Sequence, residues 1–125
     1  MKVLTIKEPY VTPIMLGLKH YETRSWKTNY RGEIYIHTAK RLLPSDVTIA
    51  PQLPLGYIVL KAKLTDCIYM DEEFVNAIKA NATEYDLGFY EVGRYAWKLE
   101  DVEIIKPIKA NGKLGIWTWQ DGNMN

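Results

Sequence analysis

An ammonium, a carboxylate and a guanidinium lie close together in Gly17-Leu18-Lys19-His20-Tyr21-Glu22-Thr23-Arg24, a set able to hold an anion or move a proton. Lys19 could bind a phosphate as a point charge, or act in acid–base chemistry if burial lowered its pKa. Just after a short helix it could equally be a solvated lysine favoured by the helix dipole. Glu22 and Arg24 are two residues apart and share a strand face. There they could pair with each other and order their surroundings. Alternatively, Arg24 could fork onto a phosphate or carboxylate while Glu22 accepts from a base amine or a water.

Further candidates follow. Tyr30-Arg31 places a flexible guanidinium beside an aromatic ring, which suits phosphate contact with base stacking, although a solvated turn residue is the plainer reading. His37 titrates near neutral pH and could exchange a proton during attack of a ribose 2′-hydroxyl on the adjacent phosphate. Lys40 and Arg41 would extend a phosphate track. Trp26 is the tryptophan best placed to stack on a base, with core packing as the alternative. Trp97, Trp117 and Trp119 read as packing residues.

These side chains need elements to hold them. Val3–Ile6 reads as a strand stopped by Glu8-Pro9, and Tyr10 to Leu18 has the spacing of a short helix, with Thr12 as cap, Pro13 at its start and Gly17 near its end. Residues 21–26 and 33–38 read as strands, the second with Ile34 and Ile36 toward the core and Glu33, Tyr35 and His37 away from it. Residues 41–54 are proline-rich, with Ser45-Asp46 able to cap one short helix. The alternation from Tyr57 to Leu64 predicts a strand with Ile58, Leu60, Ala62 and Leu64 inward, extended on through Tyr69. Asp71-Glu72-Glu73 opens a helix whose apolar side is Phe74, Ala77 and Ile78. A tyrosine-containing loop follows, then strands over 95–99, 102–105 and 116–119. Strands predominate, and the pattern fits a small α+β mixed barrel better than a doubly wound sheet.

The 125 residues, 47% of them hydrophobic, fit one domain spanning 1–125 with a real core. The lone Cys67 excludes an intrachain disulfide, and no signal peptide or membrane-length apolar run is present, so a cytoplasmic location is expected. No Cys-x-x-Cys, His-Glu-x-x-His or glycine-rich phosphate loop occurs, so neither a metal nor a cofactor is expected. Net charge is only +1, but residues 19–41 carry six bases against two acids and residues 66–91 seven acids against one base. The basic block could meet a phosphate backbone while the acidic one faces away.

The segments 4–10, 16–26 and 30–40 resemble the opening of ASCH domains, whose hallmark Gly-x-Lys-x-x-Glu-x-Arg is matched by Gly17, Lys19, Glu22 and Arg24. Leu64-Thr65-Asp66-Cys67, Tyr95-Ala96-Trp97 and Gly115–Trp119 are similar to later landmarks. The resemblance implies a PUA-like mixed barrel with two or three short helices beside it, and a cleft lined by the hallmark segment. It also implies RNA-related work. Some small bacterial members resemble a ribonuclease, and others an amidohydrolase that deacetylates acetylcytidine. In that second branch the nucleophile is a threonine three residues after the motif lysine, where this chain has Glu22.

The expectation is therefore an RNA- or nucleotide-binding domain. Lys19, Arg24, Trp26, Tyr30, Arg31 and Lys40 would contact the ligand, and Lys19, Glu22 and His37 would act in any metal-independent RNA cleavage. The alternatives are an amidohydrolase on acylated nucleosides and a non-catalytic protein-interaction domain that uses the acidic segment 71–91.

Overall fold

The computed structural model describes residues 1–44 and 47–120, so the cap expected at Ser45-Asp46 lies outside the described residues. In chain order the elements are β1 (Lys2–Ile6), α1 (Thr12–Met15), β2 (Tyr21–Arg24), β3 (Gly32–Thr38), β4 (Tyr57–Tyr69), α2 (Glu72–Lys79), α3 (Ala82–Asp86), β5 (Tyr95–Lys109) and β6 (Ile116–Thr118). One six-stranded sheet has the order β2-β5-β4-β3-β1-β6. Strands β1 and β3 run parallel, and the other neighbours are antiparallel. The sheet curls into the α+β, PUA-like half-barrel that the resemblance implies, with the three short helices beside it.

Alternation of side chains builds two layers. Leu4 and Ile6 of β1, Ile34 and Ile36 of β3, and Trp97 and Leu99 of β5 join the main core, together with Val11 and Ile14. On the opposite sheet face Val3, Ile58, Trp117 and Trp119 form a second, smaller core under β6. Two of the expected facings change because the ladder slips: an extra residue on β4 between Ile58 and Leu60 sends Ile58 to the second layer and Val59 to the main core. His37 alternates away from Ile34 and Ile36 as expected, but the face it points to is the second layer under β6, so it is fully buried there.

The expected break between residues 99 and 102 is a bulge, not a strand end. Lys61 pairs with Glu103 and Lys63 with Glu100, which leaves one extra residue on β5. Asp101 there takes a positive φ of 51°. Pro107 falls in a second irregular stretch, between Ile104 and Ile108, where its missing N–H costs no ladder bond.

The helices follow their caps. The Asp71 side chain accepts from the Phe74 N–H at 2.8 Å, with Glu72 and Glu73 in the first turn of α2. Val75 is the buried residue of that helix and Ala77 is exposed, a small rotation from the expected face. Helix α3 lies in what the sequence reads as loop, and Asn81 caps it by accepting from the Glu84 N–H.

At α1 the cap is not Thr12, which lies inside the helix. The fully buried Glu8 carboxylate accepts from the Val11 and Thr12 N–H groups at 3.0 and 2.7 Å and from the Thr12 hydroxyl. That hydroxyl in turn accepts from the Gln52 N–H at 2.9 Å, which ties the proline-rich segment to the helix start. Glu8→Ala strands these donors away from water. Urea unfolding is expected to show a loss of about 2–4 kcal/mol, with Glu8→Gln losing less because one acceptor oxygen remains.

Candidate active cleft

Helix α1 ends at Met15 with Leu16 as its cap, and Gly17 follows with a φ of +76° that suits glycine. The turn doubles back as the Leu18 and Lys19 N–H groups donate to the Pro13 carbonyl at 2.9 and 3.1 Å. The reversal aims Lys19 inward. Only 2% of Lys19 is exposed. Its Nζ donates to the Leu87 carbonyl at 2.8 Å, lies 3.7 Å from Glu22 Oε1, and sits 5.8 Å from the Tyr10 ring centroid. Burial pushes its pKa below the ordinary value, while the Glu22 and Glu84 carboxylates pull the other way.

Strand β2 presents Glu22 and Arg24 to the same cleft. Glu22 is 8% exposed. Its Oε2 accepts from Arg24 Nε at 3.1 Å and pairs with Nη2 at 3.0 Å. Oε1 faces the Lys19 ammonium at the ion-pair distance of 3.7 Å. Arg24 Nη2 also donates to the Thr5 carbonyl at 2.9 Å. That bond spans a seam in the sheet: β6 pairs only with Lys2–Leu4, so the β1 edge from Thr5 onward is open and faces β2. The cleft occupies this seam.

The cleft encloses about 580 Å³. Lys7 and Tyr10 flank it on one side, Leu87, Gly88 and Phe89 on another, and Lys113, Leu114 and Gly115 on a third. Trp26 stands at the rim, 38% exposed, with its ring edge-on to the buried Trp97 at 4.6 Å between centroids. The Arg94 guanidinium lies 4.4 Å above the exposed Phe89 ring and donates to the Phe89 carbonyl at 3.1 Å. Five basic side chains (Lys7, Lys19, Arg24, Arg94 and Lys113) therefore line the cleft against one acid, Glu22.

Helix α3 supplies what spacing cannot reveal. Glu84, 3% exposed, accepts from the His20 N–H at 3.0 Å, from His20 Nδ1 at 2.7 Å and from the Tyr90 hydroxyl at 3.3 Å. Burial and Glu84 together drive the Tyr90 hydroxyl pKa well above its ordinary value, so it stays a donor. The Leu87 N–H donates to the Glu84 carbonyl at the helix end, which places the Leu87 carbonyl on Lys19. Gly88 is tight for a related reason: a Cβ there would meet the Tyr90 ring at 2.6 Å. The acidic segment thus does not simply face away from the basic one, because Glu84 grips the residue after Lys19.

Of the residues expected to act together, Lys19, Glu22, Arg24 and Trp26 meet in the cleft, whereas Tyr30, Arg31, His37 and Lys40 do not line it. The Tyr30 hydroxyl donates to the Glu33 carbonyl. Arg31 Nη1 donates to the Thr28 and Tyr30 carbonyls at 3.0 and 2.9 Å. Lys40 Nζ donates to Asn111 Oδ1 at 2.7 Å. His37 engages both ring nitrogens on the far side of β1, with Thr5 Oγ1 at 3.2 Å and the Ala110 carbonyl at 2.7 Å. Among the described residues no group of three or more His, Cys, Asp or Glu is placed to hold a metal ion. Nor is any helix among them long and apolar enough to cross a membrane.

A curled mixed sheet with its hallmark Lys, Glu and Arg in an open seam defines the class. A family model for the ASCH domain matches residues 4–111, and the chain belongs to that family. No curated protein matches the sequence.

The buried amine gives a pH signature. Between the lowered pKa of Lys19 and its ordinary 10.5, the unfolded chain binds a proton that the native chain does not. Native stability therefore gains with pH in that window, by at most about 1.4 kcal/mol per pH unit. Tyr90 acts in the opposite sense at high pH, but it is common to wild type and Lys19→Met and cancels in their difference. Urea unfolding at several pH values from 7 to 10 is expected to show wild type gaining on Lys19→Met as pH rises. A difference independent of pH would mean that Lys19 keeps its proton.

Proposed function

We propose that the protein binds RNA by taking one unpaired nucleotide into the seam cleft, with the base inward and the backbone along the basic rim. The observation that carries this reading is the cleft's composition: five basic side chains and exposed aromatic surface line it, with the Glu22 carboxylate as its one acid. The cleft volume falls in the usual range for small-ligand sites, about 300–1,000 Å³, which suits one nucleotide and not a duplex. Lys7, Arg94 and Lys113 are the phosphate contacts, since Arg24 is already committed to Glu22 and Thr5. Trp26 and Phe89 offer stacking faces. Glu22 Oε1 accepts from a base amine, which favours cytosine or adenine over uracil.

Binding fits this geometry better than cleavage. With His37 outside the cleft, Lys19 and Glu22 are left to move protons, and each is held by protein partners. Turnover is the second reading, favoured by the lowered pKa of Lys19, which suits a general base. The amidohydrolase reading has less support. Glu22 occupies the threonine position of that branch, and the neighbouring Thr23 hydroxyl already accepts from the Phe89 N–H.

The test is fluorescence anisotropy of end-labelled single-stranded RNA and matched DNA across salt concentrations, followed by a gel of the incubated RNA. RNA should bind more tightly, and cytosine- or adenine-rich strands more tightly than oligouridine. Removing Lys7 and Lys113 together should weaken all strands and reduce the log–log salt slope by about 1.4, at roughly 0.7 per single-strand phosphate contact. Shortened RNA with wild type but not with Lys19→Met would make the protein a nuclease. Absence of binding to either polymer at low salt would sink the RNA reading and point to free nucleosides or acylated bases.

A further inference from the structure

His37 lies outside the cleft yet touches the segment that forms one of its walls. Its Nε2 is 2.7 Å from the Ala110 carbonyl. A carbonyl only accepts, so Nε2 carries a proton. On the other side Nδ1 is 3.2 Å from Thr5 Oγ1, and that oxygen receives the Trp117 Nε1–H at 3.0 Å. Indole N–H is a donor only. The arrangement that satisfies every group is a one-way chain: Trp117 donates to Thr5, the Thr5 hydroxyl donates to His37 Nδ1, and His37 Nε2–H donates to Ala110. It requires a neutral imidazole.

The wall rests directly on this chain. Gly112 lies so close that a Cβ added to it would stand 3.0 Å from both His37 Cε1 and Thr5 Oγ1. Lys113, Leu114 and Gly115, the next residues, line the cleft. Leu114 is 98% exposed, so its side chain adds no packing. Besides this base the segment is held by the Lys40–Asn111 hydrogen bond and by the start of β6.

We infer that His37 is a positioning residue for the cleft: as a neutral ring it pins the 110–115 wall, and a proton on Nδ1 releases that wall. Protonation leaves the Nε2–H bond to Ala110 intact, but it replaces the Thr5 donation to Nδ1 and puts a charge without an acidic partner in a fully buried site. The charged ring gains hydration only by leaving that site, and Ala110 and Gly112 then lose it. The groups packed on the ring from β1, β4, β6 and the wall are Thr5, Ile58, Trp117, Ala110 and Gly112, none of which ionises. The charge that reaches it is the Lys40 ammonium, which opposes protonation, as burial does more strongly, against the pull of the Ala110 and Gly56 backbone. The released state is therefore reached below the ordinary histidine range. The inference concerns the wall and holds for any ligand the cleft takes.

The experiment follows the Gly112 and Gly115 amide resonances and the His37 ring of the full chain by NMR from pH 8 to 5, with RNA affinity measured in parallel. The amides are expected to shift with the midpoint of His37. In His37→Gln, whose amide can still reach Ala110 but does not titrate, the step should vanish. Thr5→Val, which removes the hydroxyl donor to Nδ1, should raise the midpoint, and this keeps the test available if the glutamine variant misfolds. Below the midpoint, wild-type RNA affinity should fall by up to about tenfold per pH unit, and His37→Gln should lack this dependence. Amides that stay put while His37 titrates, or an unchanged step in His37→Gln, would overturn the inference. So would a wall that moves while affinity stays constant. If no RNA binds at any pH, the proposed ligand fails and the amide step alone decides the inference.

Discussion

An amine buried in a protein must find acceptors, and much of this molecule is arranged around the acceptors of Lys19. The Leu87 carbonyl is available because helix α3 ends beside it, and α3 is fastened to the chain after Lys19 by Glu84. Glu22 lies at ion-pair distance because β2 pairs with β5 in a register that sets Glu22 opposite Trp97. Removing one partner from such a group generally costs more than the pair contributes, because the survivor keeps its desolvation penalty. The cost of burying Lys19 therefore falls on three elements at once, and it makes the short, weakly helical α3 as necessary to the cleft as the hallmark strand.

The second constraint is the unfinished edge of the sheet. Strand β6 covers only the first residues of β1. In most sheets such an edge is a liability to be hidden. Here the Arg24 guanidinium bridges it to β2, and the gap that remains is the cleft. Arg24 thus acts first as a clasp, with Glu22 Oε2 and the Thr5 carbonyl as its two anchors.

The parts of the fold that obey a local rule were legible in the sequence. Alternation revealed β3 and β4, the acid run revealed α2, and the hallmark spacing revealed Lys19, Glu22 and Arg24 as a unit. What stayed hidden depends on partners distant in sequence. Alternation set His37 on the face away from Ile34 and Ile36, but that face is buried because Trp117 of β6 covers it, and nothing within residues 33–38 carries that information. Helix α3 is too short to build an apolar stripe, so Glu84 read as one more surface acid, although it lies 64 residues from the His20 it holds. Tyr30, Arg31 and Lys40 were assigned to the cleft by proximity along the chain, but Tyr30 and Arg31 bond within their own turn and to the start of β3, and β3 carries Lys40 away to Asn111.

The pairing of the first strand with the last also bears on the order in which the molecule assembles. Strand β1 finds its parallel partner β3 early in the chain, whereas its antiparallel partner β6 begins only at Ile116. Contacts that close long loops form slowly. A chain emerging from the ribosome therefore has Lys19, Glu22 and Arg24 in hand well before β5, α3 and the 110–115 wall exist to enclose them. Until those arrive Lys19 is solvated, with an ordinary amine's affinity for protons. The chemical character of the cleft is a property of the finished chain, and a nascent fragment carrying the whole hallmark motif lacks it.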